Sequence, residues 1–132
     1  MLFPATHISI SINCSPREVY TFASNPENLP EWAAGLANNV VSKKDDYWTT
    51  NSPMGVIKIK YAPLNEFGVM DHDVTLPSGE TNHNPFRVMK NDSGSEVVFT
   101  LFKLPNMTED DFQRDKKLVQ ADLQKLKQLL EK

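Results

Sequence analysis

The sequence has little of what would take it out of the ordinary globular class. It holds one cysteine, Cys14, so an internal disulfide is excluded. Basic residues are not in excess: 14 Lys and Arg stand against 17 Asp and Glu, a formal charge of −3. No global positive field invites a nucleic-acid backbone, and no nucleic-acid partner is expected. No apolar run approaches the roughly twenty residues of a bilayer-crossing helix, which argues against integral membrane association. The start, MLFPATHISI, lacks the basic flank and apolar stretch of a secretion signal, and with a lone cysteine this points to the reducing cytoplasm. No Gly-x-Ser-x-Gly elbow, Walker loop or Rossmann glycine pattern is present, so no cofactor is implied. The three histidines and one cysteine lack ligand spacing, and no metal is expected.

What is there reads as an α+β chain of 132 residues, the length of one domain spanning 1–132. Ile8, Ile10 and Ile12 alternate with polar residues, the period of a half-buried strand. Ser15-Pro16-Arg17-Glu18 then has the spacing of a capping box, in which the hydroxyl accepts from the Glu18 N–H and the carboxylate reaches back. A short helix follows, and Asn25-Pro26 opens a second short turn that runs to Trp32. Strands are expected at 38–43, 46–51, 55–61, 67–76, 80–90 and 95–104, separated by turn signals such as Ser78-Gly79 and Ser93-Gly94. With the first strand they form a seven-stranded antiparallel, meander-like sheet, with the two short helices between its first and second strands. The chain closes on a long amphipathic helix from Thr108 to Lys132, capped by Thr108 with Asp111 in the box position. Its apolar stripe is Phe112, Val119, Leu123, Leu126 and Leu130, which the concave face of a curved sheet can bury.

This order of elements, together with the phrases ASNPENLPEWAAGL, FGVMDHDVTLPSGE, NPFRVMKN and GSEVVFTLF, resembles the SRPBCC or START-like superfamily, and within it the small bacterial polyketide cyclase/dehydrase-like proteins. The resemblance implies a helix-grip fold, shared with the birch-pollen-allergen group. In that fold the sheet wraps the C-terminal helix around a cavity for a lipid, sterol, polyketide or other apolar ligand. It implies no catalytic motif, because the matching phrases are packing, turn and cap residues.

Within that frame the alternation of Ile57, Ile59 and Tyr61 with Lys58 and Lys60 sets which side faces the helix. A hairpin with Tyr61 opposite Gly68 puts Ile57 opposite His72 and Ile59 opposite Met70 on the inner side. His72 is therefore the candidate acid or base, with Tyr61 as its partner, although a histidine satisfied by a neighbouring group reads the same way. Asp71 and Asp73 point opposite to His72 and pair with lysine or arginine outside. Arg87 depends on the Ser78-Gly79 turn. A two-residue turn brings it inward to meet a ligand carboxylate or enolate; a Gly79 bulge sends it outward and turns Phe86 and Val88 in, leaving fewer apolar side chains in water.

The full set of candidate ligand contacts is Trp32, Ile57, Ile59, Tyr61, Phe67, Met70, His72, Arg87 and Phe99 with Val119, Leu123 and Leu126 of the last helix. Trp32 stands at the expected cavity mouth. Cys14 precedes a helix start, which can activate a thiol, but no histidine accompanies it. The leading function is the binding of a small apolar or amphipathic molecule. A cyclase or dehydratase using His72, and an interaction module working through its outer surface or as a homodimer, are the alternatives.

Overall fold

The structure is a computed structural model in which residues 1–37 and 39–132 are described. The elements are β1 (Ala5–Ile12), α1 (Pro16–Ala23), α2 (Leu29–Trp32), β2 (Ser42–Lys44), β3 (Tyr47–Ser52), β4 (Gly55–Tyr61), β5 (His72–Thr75), β6 (Thr81–Asn84), β7 (Phe86–Asn91), β8 (Gly94–Phe102) and α3 (Glu109–Leu130). Single 3-10 turns at Pro26–Asn28 and Ala34–Leu36 flank α2. Residue 38, where the first strand after the short helices was expected to start, lies outside the described residues, and β2 covers only the end of that span.

One curved sheet of seven strands was expected; the described strands number eight, all antiparallel, in two sheets ordered β1-β8-β7 and β2-β3-β4-β5-β6. The difference has a local cause. Pro85 has no N–H to donate and interrupts the expected 80–90 strand, so β6 stays with β5 while β7 pairs with β8. The partner strand breaks at the same level. Residues 68–70 hydrogen-bond to β7 (Met70 N–H to Phe86 O 2.8 Å, Val88 N–H to Gly68 O 3.0 Å), whereas His72 onward pairs with β4 and β6. Asp71 holds this corner: Oδ1 accepts from the Phe86 N–H at 2.8 Å and from Arg87 Nε at 3.2 Å, and Oδ2 accepts from Arg87 Nη2 at 2.8 Å. Gly68 fits here because its φ of +73° suits glycine and because a Cβ would stand 2.3 Å from the Val88 carbonyl oxygen.

The β4–β5 register also differs from expectation. Tyr61 stands opposite His72, not Gly68, and Ile59 opposite Val74. The displacement is four residues, an even number, so every side chain keeps the face that the alternation assigned.

The first cap is half of the expected box. Ser15 Oγ accepts from the Glu18 N–H at 3.3 Å, but the Glu18 carboxylate takes the Cys14 thiol at 3.1 Å instead of reaching back to the backbone. The box at Thr108 and Asp111 is complete. The helix α3 lies along β1 and α2, and its Leu123 and Leu126 are fully buried with Ile8, Ile12, Val19 and Val97. Each such leucine contributes about 1.5–3 kcal/mol by leaving water. Its C-terminal end is tied to β1, where Lys127 Nζ donates to Ser11 O at 2.7 Å and Glu131 accepts from the Asn13 N–H at 2.8 Å. Among the described residues no helix is long and apolar enough to cross a membrane.

Candidate ligand-binding site

The five-stranded sheet presents three cross-strand rows to the interior, one of them the buried pair Thr50 and Ile57, and the other two border the site. One runs Lys43, Trp48, Ile59, Val74, Asn82; the next runs Tyr61, His72, Asn84. The end of α1 and the turn after it face this sheet across a cavity of about 560 Å³. Tyr20, Thr21, Ser24, Asn25 and Pro26 form one wall; Trp48, Tyr61, Ala62, Leu64, Val69 and Met70 form the other, with Lys43 and Asp46 at the rim. The sheet wall is apolar and aromatic, Thr21, Ser24 and Asn25 make the α1 wall more polar, and Lys43 and Asp46 bring the charge. Tyr20 also anchors the far wall, its hydroxyl accepting from the Asn65 N–H at 3.0 Å. Asn65 in turn holds the 62–69 segment by accepting from the N–H groups of Phe67 and Val69 and donating to the carbonyls of Pro63 and Val69. A second, larger groove of about 920 Å³ lies on the opposite side of Tyr20, lined by Phe67, Gly68, Val88, Met89 and Lys90.

Of the expected contacts, Tyr61 and Met70 line the cavity. His72 sits beside it, its ring 5.0 Å from the Tyr61 ring and about 6 Å from those of Phe86 and Phe99. Met70 O can only accept, so the His72 Nδ1 that contacts it at 3.0 Å carries the proton, and Nε2 keeps its lone pair. Among the described residues Nε2 has no hydrogen-bond partner. Burial holds the imidazole below its ordinary pKa, against the opposing pull of the Met70 carbonyl, so it is neutral at pH 7. Burial likewise pushes the Tyr61 phenol above its usual range.

The remaining expectations are redistributed. Phe67 is 82% exposed on the turn before the corner and belongs to the outer groove, because the chain leaves the sheet between Tyr61 and Gly68. Arg87 points outward onto Asp71, as the bulge alternative required, and Phe86 and Val88 point in. Trp32 is not at a mouth: it is 7% exposed, packed 5.9 Å from Phe86, and its Nε1 is buried without a hydrogen-bond partner among the described residues. Ile57, Ile59, Leu123 and Leu126 are core residues, and Val119 and Phe99 pack partly buried against them. Neither cavity is lined by α3, so both lie beside the helix-filled centre. Asp73 pairs with His83 at 2.6 Å. The Cys14 thiol is pushed up to about 11 by burial first and then by Glu18, which leaves it protonated and unreactive at neutral pH.

Beyond Tyr61 and Met70 the sequence reading passed over the lining, Tyr20, Lys43 and Trp48 among it. Lys43 and Trp48 were legible as strand residues; what was missing was the pairing that brings them opposite each other. Among the described residues no group of three or more acidic, cysteine or histidine side chains could hold a metal ion.

No family model and no curated protein matches the chain. Solved structures do. XoxI from Bacillus cereus superposes with a TM-score of 0.75 at 15% identity, over 96% of this chain and 94% of that one. Ara h 8.0201 gives 0.70 at 11% identity over 98% of both chains. The Aha1 dimer from Colwellia psychrerythraea gives 0.69 at 17%, over 97% of this chain and 96% of that one. The chain has the helix-grip fold. At these identities the likeness concerns the helix-grip backbone alone, and the chemistry of the cavity rests on this chain's own residues.

Proposed function

We propose that the chain binds a small amphipathic molecule with an aromatic or otherwise apolar body in the cavity between α1, β3, β4 and the 62–70 segment. The observation that carries this is the lining itself. Trp48, Tyr61, Met70, Val69 and Leu64 offer apolar surface opposite Tyr20, around a volume of about 560 Å³, a size typical of small-molecule sites.

The two tryptophans allow a direct test, since Trp48 lines the cavity and Trp32 lies in the core. The indole Nε1–H NMR resonance of Trp48 is expected to shift on adding anilinonaphthalene sulfonate while that of Trp32 stays in place, each assigned through its Trp→Phe variant. A Trp48 resonance that does not move on dye binding would put the dye elsewhere and remove the reading.

A second reading adds chemistry to the same site. A neutral His72 with an unpartnered Nε2, lying beside the cavity behind Tyr61 with the two rings 5.0 Å apart, is suited to moving a proton on a bound carbonyl compound that displaces the Tyr61 ring. His72→Ala that leaves turnover of a polyketide substrate unchanged would dismiss it.

A further inference from the structure

Resting on that reading, we propose that Lys43 is the anion-binding group of the cavity and that the ligand class is a small carboxylic acid with an aromatic or alicyclic body. Lys43 stands directly opposite Trp48 in the β2–β3 pair, so its ammonium and the indole share the concave side of the sheet. Its neighbour Lys44 alternates to the other side. The charged groups of the cavity rim are Lys43 and Asp46, and they differ in one respect. Asp46 is already neutralised by Lys60 at 2.9 Å, which holds its carboxyl below the usual range; Lys43 has no ion pair or hydrogen bond among the described residues. The rim therefore offers one uncommitted positive charge on a protein of net charge −3.

The row behind Lys43 completes the pattern. Trp48 follows it in the lining, with Ile59 and Val74 next in the row before it ends at Asn82, so the lysine stands beside an apolar stretch of the sheet. A ligand with its ring against Trp48 and Tyr61 and its carboxylate at the rim satisfies both ends at once, whereas a neutral apolar ligand leaves the lysine unused. The competing explanation is that β2 is a sheet edge, where an inward lysine discourages pairing with another chain.

Isothermal titration with 1-naphthylacetate and 1-naphthylacetamide separates these. The pair matches in shape and differs in charge. At low ionic strength the wild-type protein is expected to prefer the acid by about fivefold, the range of an exposed ion pair. Lys43→Gln should remove the preference, Lys43→Glu reverse it and Lys43→Arg retain it, while added salt weakens it. Equal binding of both probes to wild type and to Lys43→Gln overturns the role of Lys43 but leaves the cavity intact. Increased self-association of Lys43→Gln with selectivity unchanged does the same in favour of the edge explanation. Binding of neither probe at millimolar concentration overturns the cavity reading and this inference with it.

Discussion

Asp71 is the residue on which the corner between the two sheets depends. Its carboxylate accepts one backbone and two guanidinium hydrogen bonds while its side chain is only 16% exposed. Burial alone would raise its pKa, but the Arg87 hydrogen bonds, the Phe86 N–H and the Arg87 charge together prevail and hold it below the ordinary carboxylate value. Asp71→Ala strands the Phe86 N–H and is expected to cost about 2 kcal/mol in denaturant unfolding. Because its folded pKa is the lower one, Asp71 contributes fully above the unfolded value near 3.8 and loses that contribution as pH falls through the folded value. His72 acts in a higher window. Its folded pKa also lies below the unfolded value near 6.5, so the protein loses stability as pH falls from there through the folded value. His72→Phe should abolish that component of the stability–pH profile while leaving the Asp71 component in place. The alternation of residues 57–61 was enough to turn His72 inward, but its pairing with Met70 O and its place among Tyr61, Phe86 and Phe99 required the tertiary register.

At the scale of elements, helices were more legible than strands. Caps are local, and the signals at Ser15, Asn25 and Thr108 all mark real helix starts, the carboxylate of Glu18 alone taking a different partner. Strand breaks were less visible because they follow from pairing. Pro85 was in plain view, yet its effect depended on which strand needed the missing N–H. Gly68 tests the arrangement. Gly68→Ala forces a Cβ against the Val88 carbonyl at positive φ, and is expected to destabilise by more than about 2 kcal/mol. Hydrogen exchange should then rise at Met70 and Val88, whose amides hold the 68–70 segment to β7. A Gly68→Ala protein as stable as wild type would show that this segment is not clamped to β7.

For the whole molecule, α3 and the cavity have separate roles. Leu126 is fully buried and is not part of the lining, so Leu126→Ala is expected to cost about 3–4 kcal/mol while leaving ligand affinity in the folded protein unchanged. Ala62→Phe should do the opposite, filling the cavity and weakening binding with little loss of stability. Calorimetry and denaturant titration of the two variants measure both quantities, and a loss of affinity in Leu126→Ala would place the ligand under α3 instead. By itself the sequence determined the order of helices and strands apart from the break at Pro85, and the inward face of residues 57–61 and of His72, because periodicity and caps act over a few residues; the helix-grip arrangement came through the family resemblance, and the facing of the 80–90 segment hung on the Ser78-Gly79 turn. Only the tertiary structure decided where the void lies and what surrounds it. Trp48 meets Lys43 through strand register, Tyr20 meets Asn65 across forty-five positions of chain, and Leu123 and Leu126 of the last helix are buried in the core while the cavity opens between α1 and the sheet. Cavities are what remains after long-range packing, and no local pattern encodes them.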